Sequence, residues 1–217
     1  MQLNGKLYLK MKLIGFSAGT ESTALLVDSI NKYGVDQLMV LTTILTTVNN
    51  KTYYKHYEAT EYYTKEICKE LGISNHKIAY RTMLGATNYG NFGLGYLISD
   101  AYILTLSHPT IDDYLIGGHS LDKYSSVRIR LARQLYDGVM EAYERSARYT
   151  CPLRDVTKLD QWNMIPDTIK PLVFTCELPY KNEEGIYLAC NKCSKCAEFK
   201  ICVTDKEVAL QGATGVC

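Results

Sequence analysis

Hydrophobic and polar positions change period several times along this chain, and the changes mark its elements. Residues 7–12 alternate as Leu-Tyr-Leu-Lys-Met-Lys and then turn wholly apolar at Leu13-Ile14-Gly15-Phe16, which predicts a strand entering a buried sheet, with Asn4-Gly5 as a turn before it. The run Ser17-Ala18-Gly19-Thr20-Glu21-Ser22 breaks that period, and residues 23–33 read as a helix stopped by Gly34. A second strand is expected over 37–43. A polar stretch with Asn49-Asn50 leads to a helix over 52–71, closed by Gly72. Residues 73–80 give a third strand. A loop with Gly85, Asn88, Gly90, Asn91 and Gly93 precedes a helix ending near His108-Pro109. Tyr114-Leu115-Ile116 running into Gly117-Gly118 is a fourth strand, followed by a helix over 127–148.

Strands alternating with helices predict an α/β fold: a Rossmann-like parallel sheet with helices on both faces. In such sheets ligands lie beyond the carboxyl ends of the strands, where Ser17, the Asn49 loop and Gly117-Gly118 all fall. The expected division is an α/β domain over 1–170 and a small C-terminal metal-binding segment over 171–217.

That last segment holds the most specific chemistry. Cys190, Cys193 and Cys196 form two overlapping Cys-x-x-Cys turns, and Cys176 lies a short loop upstream. Each turn aims two sulfurs at a point about 2.3 Å away, so the set reads as a closed four-thiolate zinc site. Disulfides are the alternative reading; they belong to secreted chains, and the first residues lack the apolar centre of a signal peptide. Cys202 is an alternative fourth ligand. Four thiolates leave no open coordination position, so the metal is expected to be structural and the chemistry to lie elsewhere.

Composition narrows the classes. Hydrophobic residues make up 47% and charged residues 22% of 217, ordinary for a globular protein. A formal charge of +1 argues against a broad nucleic-acid or membrane surface. No apolar run approaches the roughly 20 residues of a spanning helix and the first residues lack a signal peptide's apolar centre, so a cytoplasmic, reducing environment is expected. The 18 scattered Tyr read as core and surface aromatics. His56, His76, His108 and His119 are dispersed without ligand spacing, and Cys68 reads as core.

Small residues after a strand let backbone amides approach phosphate oxygens, with the positive end of the next helix dipole behind them. Ser17 and Ser22 add hydroxyl donors. The loop lacks the Gly-x-x-x-x-Gly-Lys-Ser pattern, and a plain turn with Ser22 as helix cap is the other reading.

Taken together, loop and cysteines resemble a known family. Phe16-Ser17-Ala18-Gly19-Thr20-Glu21-Ser22-Thr23 resembles the Phe-Ser-Gly-Gly-x-Asp-Ser-Thr pyrophosphate loop of the PP-loop ATP pyrophosphatases. The run from Thr175-Cys176-Glu177 to Cys196-Ala197-Glu198-Phe199 resembles one branch of them, the 7-cyano-7-deazaguanine synthases of queuosine biosynthesis. Gly117-Gly118-His119-Ser120-Leu121-Asp122-Lys123-Tyr124-Ser125 is similar to that family's substrate segment, and Arg128 falls where the family has an arginine. The likeness spans roughly residues 10–202.

The resemblance implies an ATP- and magnesium-dependent carbon–nitrogen ligase that adenylates 7-carboxy-7-deazaguanine, takes up ammonia and dehydrates the amide to the nitrile. In this reading Phe16, Ser17, Ala18, Gly19, Thr20, Ser22 and Thr23 bind ATP; Glu21 orients metal or water; Arg128 pairs with a carboxylate or phosphate. Asn91, Asp122 and Tyr124 bind the deazapurine. A homodimer is implied by the resemblance alone. The chain departs from the family at Ala18 for glycine, at Glu21 for aspartate, around residues 47–51, where His56 is a loose positional match, and at Tyr89-Gly90-Asn91. A diverged PP-loop protein with another substrate, or one that binds nucleotide without turnover, is the alternative.

Overall fold

A computed structural model of the chain describes residues 2–3, 6–7, 10–47, 51–83, 89–118 and 123–204. Asn4-Gly5, Asn49-Asn50, Gly85, Asn88, residues 119–122 and Cys217 lie outside the described residues. After a short antiparallel pair, β1 (Gln2–Leu3) and β2 (Lys6–Leu7), the chain alternates strand and helix. The succession is β3 (Met11–Gly15), α1 (Thr20–Tyr33), β4 (Leu38–Thr47), α2 (Lys51–Glu70), β5 (His76–Met83), α3 (Tyr89–Ser107), β6 (Ile111–Ile116), α4 (Lys123–Ala142) and β7 (Arg148–Thr150). The tail adds α5 (Lys158–Met164), the antiparallel pair β8 (Tyr180–Lys181) and β9 (Tyr187–Leu188), and α6 (Ser194–Thr204).

Five strands form one sheet in the order β5-β4-β3-β6-β7, every pair parallel. The Rossmann-like α/β fold read from the alternation is therefore what the chain adopts. Because side chains alternate across a strand, Leu13 and Ile14 enter opposite cores, each fully buried. Ile14, Leu38 and Val40 pack with Leu25, Leu26 and Ile67 of α1 and α2. Leu13, Met39 and Leu41 pack on the other face with Ile98 of α3 and with Ile129, Ala132, Tyr136 and Met140 of α4, a helical spacing of three and four residues. Tyr114, Tyr136 and Tyr149 are buried together there, so these tyrosines are core. Phe174, Cys176, Tyr187, Cys193 and Cys196 belong to the first cluster, placing the cysteine segment against α1 and α2.

Several element bounds differ from the sequence reading. The third strand covers His76–Met83 rather than 73–80, because the chain pairs Val40 with His76 while Ile73 is buried after α2. The helix expected over 127–148 begins at Lys123, ends at Ala142 and is followed by a fifth strand. Glu144 takes a left-handed φ of 51°, which cannot continue a helix, and Arg145 turns away to donate to the carbonyls of Thr105 at 2.8 Å and Ile111 at 3.2 Å. No helix among the described residues is long and apolar enough to cross a membrane.

Candidate functional site: the loop after β3 and the cysteine cluster

Strand order reverses between β3 and β6: β4 follows on one side of β3, whereas β6 lies on the other. Such a switch point, beyond the carboxyl ends of the strands, is the place where open α/β sheets bind ligands. The loop after β3 and Gly117 after β6 meet at this point. A Cβ on Gly117 would stand 2.6 Å from both the Glu21 carbonyl carbon and the Ser22 nitrogen, so only glycine permits this approach.

The loop is built from its own small side chains. The Phe16 amide donates to the Leu41 carbonyl at 2.8 Å and ties the loop to β4. Ala18 is buried with φ 60°, the left-handed region its glycine counterpart would enter freely. Gly19 is the cap residue of α1 in extended conformation, and no side chain caps the helix there. Ser22 is the third residue of α1, not its cap: its Oγ donates to the Gly19 carbonyl at 3.2 Å and accepts from the Ser17 amide at 3.3 Å. The first intrahelical bond runs from the Thr23 amide to the Gly19 carbonyl, which leaves the amides of residues 20–22 ahead of the ladder. The Oγ1 atoms of Thr20 and Thr23 are buried and have no hydrogen-bond partner among the described residues. This end of α1 has the donors and dipole sense that an anion requires.

Glu21 does not stand alone. Its Oε1 lies 3.2 Å from Nζ of Lys158, which also pairs with Glu198 of α6. The sequence reading missed Lys158, whose position on a separate short helix gives no local signal. It also missed Gln161, fully buried, whose Nε2 donates to the carbonyls of Leu153 at 3.0 Å, Val156 at 3.1 Å and Gly118 at 3.3 Å and so fixes the strand-end loop.

The four cysteines converge as the spacing predicts. Sulfurs of Cys176, Cys190, Cys193 and Cys196 all lie within 4.8 Å of one another. Cys176–Cys193 and Cys190–Cys196 are each 4.0 Å apart. Asn191 makes the tight turn of the first Cys-x-x-Cys with φ 58°. The amides of Lys192 and Cys193 donate to Cys190 Sγ at 3.4 and 3.3 Å, and the Cys190 amide donates to Cys176 Sγ at 3.2 Å. Burial pushes the Cys176 thiol up; at Cys190 burial acts the same way, but the Lys192 and Cys193 amides together with the neighbouring Cys176 and Cys193 thiols outweigh it and bring the thiol down to about 6. A single ion with metal–sulfur bonds of about 2.3 Å sets tetrahedral sulfurs about 3.8 Å apart, so this group fits one metal ion. His56 is no part of it: its Nδ1 meets the Cys176 carbonyl at 2.8 Å, and burial lowers its pKa.

Other predicted residues stand farther apart or undescribed. Arg128 is exposed on α4. Asn91 and Tyr124 lie in the first turns of α3 and α4, and Asp122 is outside the described residues. His76 and His108 serve packing, through Thr42 at 2.9 Å and the Leu104 carbonyl at 3.0 Å. Cys68 is core.

No protein-family model matches the chain, and no curated protein matches it significantly. Among solved structures it is similar to the U34-tRNA thiolase NcsA from Methanococcus maripaludis with its 4Fe-4S cluster. The two share 14% sequence identity and a TM-score of 0.44, over 96% of this chain and 71% of that one.

Proposed function

We propose that residues 16–23 bind the pyrophosphate of ATP and that the protein is a PP-loop enzyme activating a carboxylate by adenylation. One observation carries this reading. Gly19 sits in ordinary extended backbone with nothing nearer to a built Cβ than Ser17 Oγ at 3.6 Å, so the fold itself does not demand glycine there. A glycine with room for a Cβ, at a helix start without a side-chain cap beside the switch point of the sheet, suits the approach of a ligand to the backbone.

In the reaction a substrate carboxylate oxygen attacks the α-phosphorus of ATP and pyrophosphate leaves; ammonia then attacks the acyl carbon, giving the amide and AMP. A second ATP-dependent step removes water to form the nitrile. The chain's part is positioning and charge neutralisation. Ser17, Gly19, Thr20 and Ser22 grip the departing pyrophosphate, and Phe16, Ala18 and Thr23 shape the loop. Glu21 orients magnesium, which when bound neutralises phosphate charge. Arg128 offers a bidentate contact to a carboxylate or phosphate, and Asn91, Asp122 and Tyr124 are the proposed deazapurine contacts. Cys176, Cys190, Cys193 and Cys196 hold zinc structurally, since a closed thiolate set leaves no position for substrate. The sulfurs stand closer together than the corners of a multi-iron cluster allow, which favours a single ion. The family resemblance also supports a homodimer, testable by light scattering.

The test is calorimetric titration with Mg-ATP, beside pyrophosphate release with 7-carboxy-7-deazaguanine and ammonia. Release only with that substrate supports the nitrile-synthase reading. Binding and release with a different acid moves the proposal to a diverged ligase. The left-handed Ala18 and the longer carboxylate at Glu21 favour a second reading, nucleotide binding without turnover, which tight binding with no release would establish.

A further inference from the structure

Glu21 and Cys196 belong to distant parts of the chain, and one lysine stands between the segments that carry them. Lys158 opens α5, its start held by Thr157, whose Oγ1 accepts from the Asp160 amide at 3.1 Å. Its side chain is only 11% exposed. On one side Nζ lies 3.2 Å from Glu21 Oε1; on the other it bonds Glu198, two residues beyond Cys196 on α6. Glu198 is held in turn by Lys195 at 2.9 Å. Glu21, Lys158 and Glu198 thus form one line from the loop after β3 to the cysteine cluster.

We infer that Lys158 is a positioning residue for Glu21, and that through Glu198 it links the orientation of that carboxylate to the cysteine site. The inference rests on the reading in which Glu21 orients magnesium at the phosphate loop. A free glutamate at the second position of a helix samples many rotamers, and only some face a metal beside the phosphates. An ammonium fixed by a second carboxylate removes that freedom before the ligand arrives. The backbone of the same loop is tied independently: the Phe174 amide donates to the Ala18 carbonyl at 2.8 Å, two residues before Cys176. Backbone and side chain of the loop therefore both lead to the thiolate site. A nearly buried cation with two acidic partners is costly to leave half-paired, so the arrangement holds as a unit. Coupling of this kind is reciprocal in equilibrium binding: whatever factor the ordered cysteine site adds to Mg-ATP affinity, Mg-ATP adds to metal retention.

The experiment uses full-length metal-loaded protein and titrates Mg-ATP, and ATP with magnesium chelated, into Lys158→Met, Lys158→Arg, Glu198→Gln, Glu21→Gln and the double variant Lys158→Met/Glu21→Gln. Lys158→Met and Glu198→Gln are each expected to weaken Mg-ATP by about tenfold at unchanged metal content. Magnesium-free ATP should change by no more than about twofold, and the double variant should be no worse than Glu21→Gln alone. Lys158→Arg should recover most of the loss. Equal weakening of ATP with and without magnesium, or additive losses in the double variant, overturns the inference, since Lys158 would then touch phosphate directly or merely support the fold. If the wild type binds no Mg-ATP, the phosphate-loop reading fails by itself. The same variants in thermal unfolding then decide the linkage: non-additive losses for Lys158 and Glu21 keep it, and additive losses remove it.

Discussion

The Phe174 amide donates to the Ala18 carbonyl at 2.8 Å, joining the segment that leads into Cys176 to the turn that opens α1. Ala18 holds φ 60°, where an L-residue with a Cβ costs about 1–2 kcal/mol. Ala18→Gly removes that cost. It also removes a buried methyl, about 0.8 kcal/mol, and adds about 0.4–1 kcal/mol of unfolded-chain entropy. These nearly cancel, so Ala18→Gly should change stability by no more than about 1 kcal/mol in either direction in denaturant unfolding. A loss above about 2 kcal/mol would show that the methyl is packed for reasons the left-handed turn does not explain.

Gly19→Val should separate fold from function. The backbone is extended and the nearest contacts to a new Cβ are Ser17 Oγ at 3.6 Å and Thr175 Cγ2 at 4.0 Å, so the variant should still fold, at a cost of about 1 kcal/mol for valine at the cap of α1. Mg-ATP affinity should fall by about a hundredfold or more, because the isopropyl group occupies the approach to the backbone. Unchanged affinity in a folded Gly19→Val protein would reduce the loop to a turn.

Gly117→Ala should fail in the opposite way. The added carbon would lie 2.6 Å from the backbone of Glu21 and Ser22, and neither can yield as a flexible side chain would. Overpacking of this kind costs about 1–3 kcal/mol, and here it also displaces the start of α1. Stability and Mg-ATP affinity should therefore fall together; loss of neither would mean that the two strand ends do not meet in solution.

Much of this was legible from period and composition. Leu13-Ile14 announced a strand buried on both faces, and the cysteine spacing brought four sulfurs together because two Cys-x-x-Cys turns constrain their own geometry. What escaped the sequence was set at long range. β7 is three residues long, too short for a period, and the end of α4 depends on Arg145 reaching carbonyls more than thirty residues away. The plain-turn alternative put Ser22 at the cap because serine favours that position; the chain instead puts glycine there and turns the serine hydroxyl back onto the loop. Lys158 and Gln161 have partners 137 and 43 residues distant in Glu21 and Gly118, contacts that no local pattern encodes.

Metal analysis should find one zinc per chain in protein purified without chelator. Cys193→Ala removes a buried ligand from a closed set and should abolish the metal and expose the tail to proteolysis. Cys68→Ala, in the core and apart from the cluster, should retain full metal content and lose only packing, about 1–2 kcal/mol. Iron and acid-labile sulfide in place of zinc would overturn the single-ion assignment.

Acid should weaken the fold through a buried imidazole. His76 pairs its ring nitrogen with the buried Thr42 hydroxyl at 2.9 Å, and burial, aided by Lys65, lowers its pKa to about 4 from 6.5. Above pH 6.5 the imidazole is neutral in folded and unfolded chains alike, and its contribution to stability is fully present. As pH falls from 6.5 towards 4 the unfolded chain takes up a proton that the folded chain refuses, so stability declines through that window and this group adds no further loss below it. Glu198 behaves separately. Burial raises its pKa, but Lys158 and Lys195 outweigh burial and hold it near 2, so its contribution is lost only as pH falls from 4.5 towards 2. Urea midpoints measured from pH 7.5 to 4.5 should fall in the wild type and fall less steeply in His76→Gln. The variant's slope should not vanish, because buried His56 also titrates below its ordinary value. An identical slope in both proteins would mean that His76 is protonated as readily in the fold as outside it, and that its bond to Thr42 does not depend on the neutral ring.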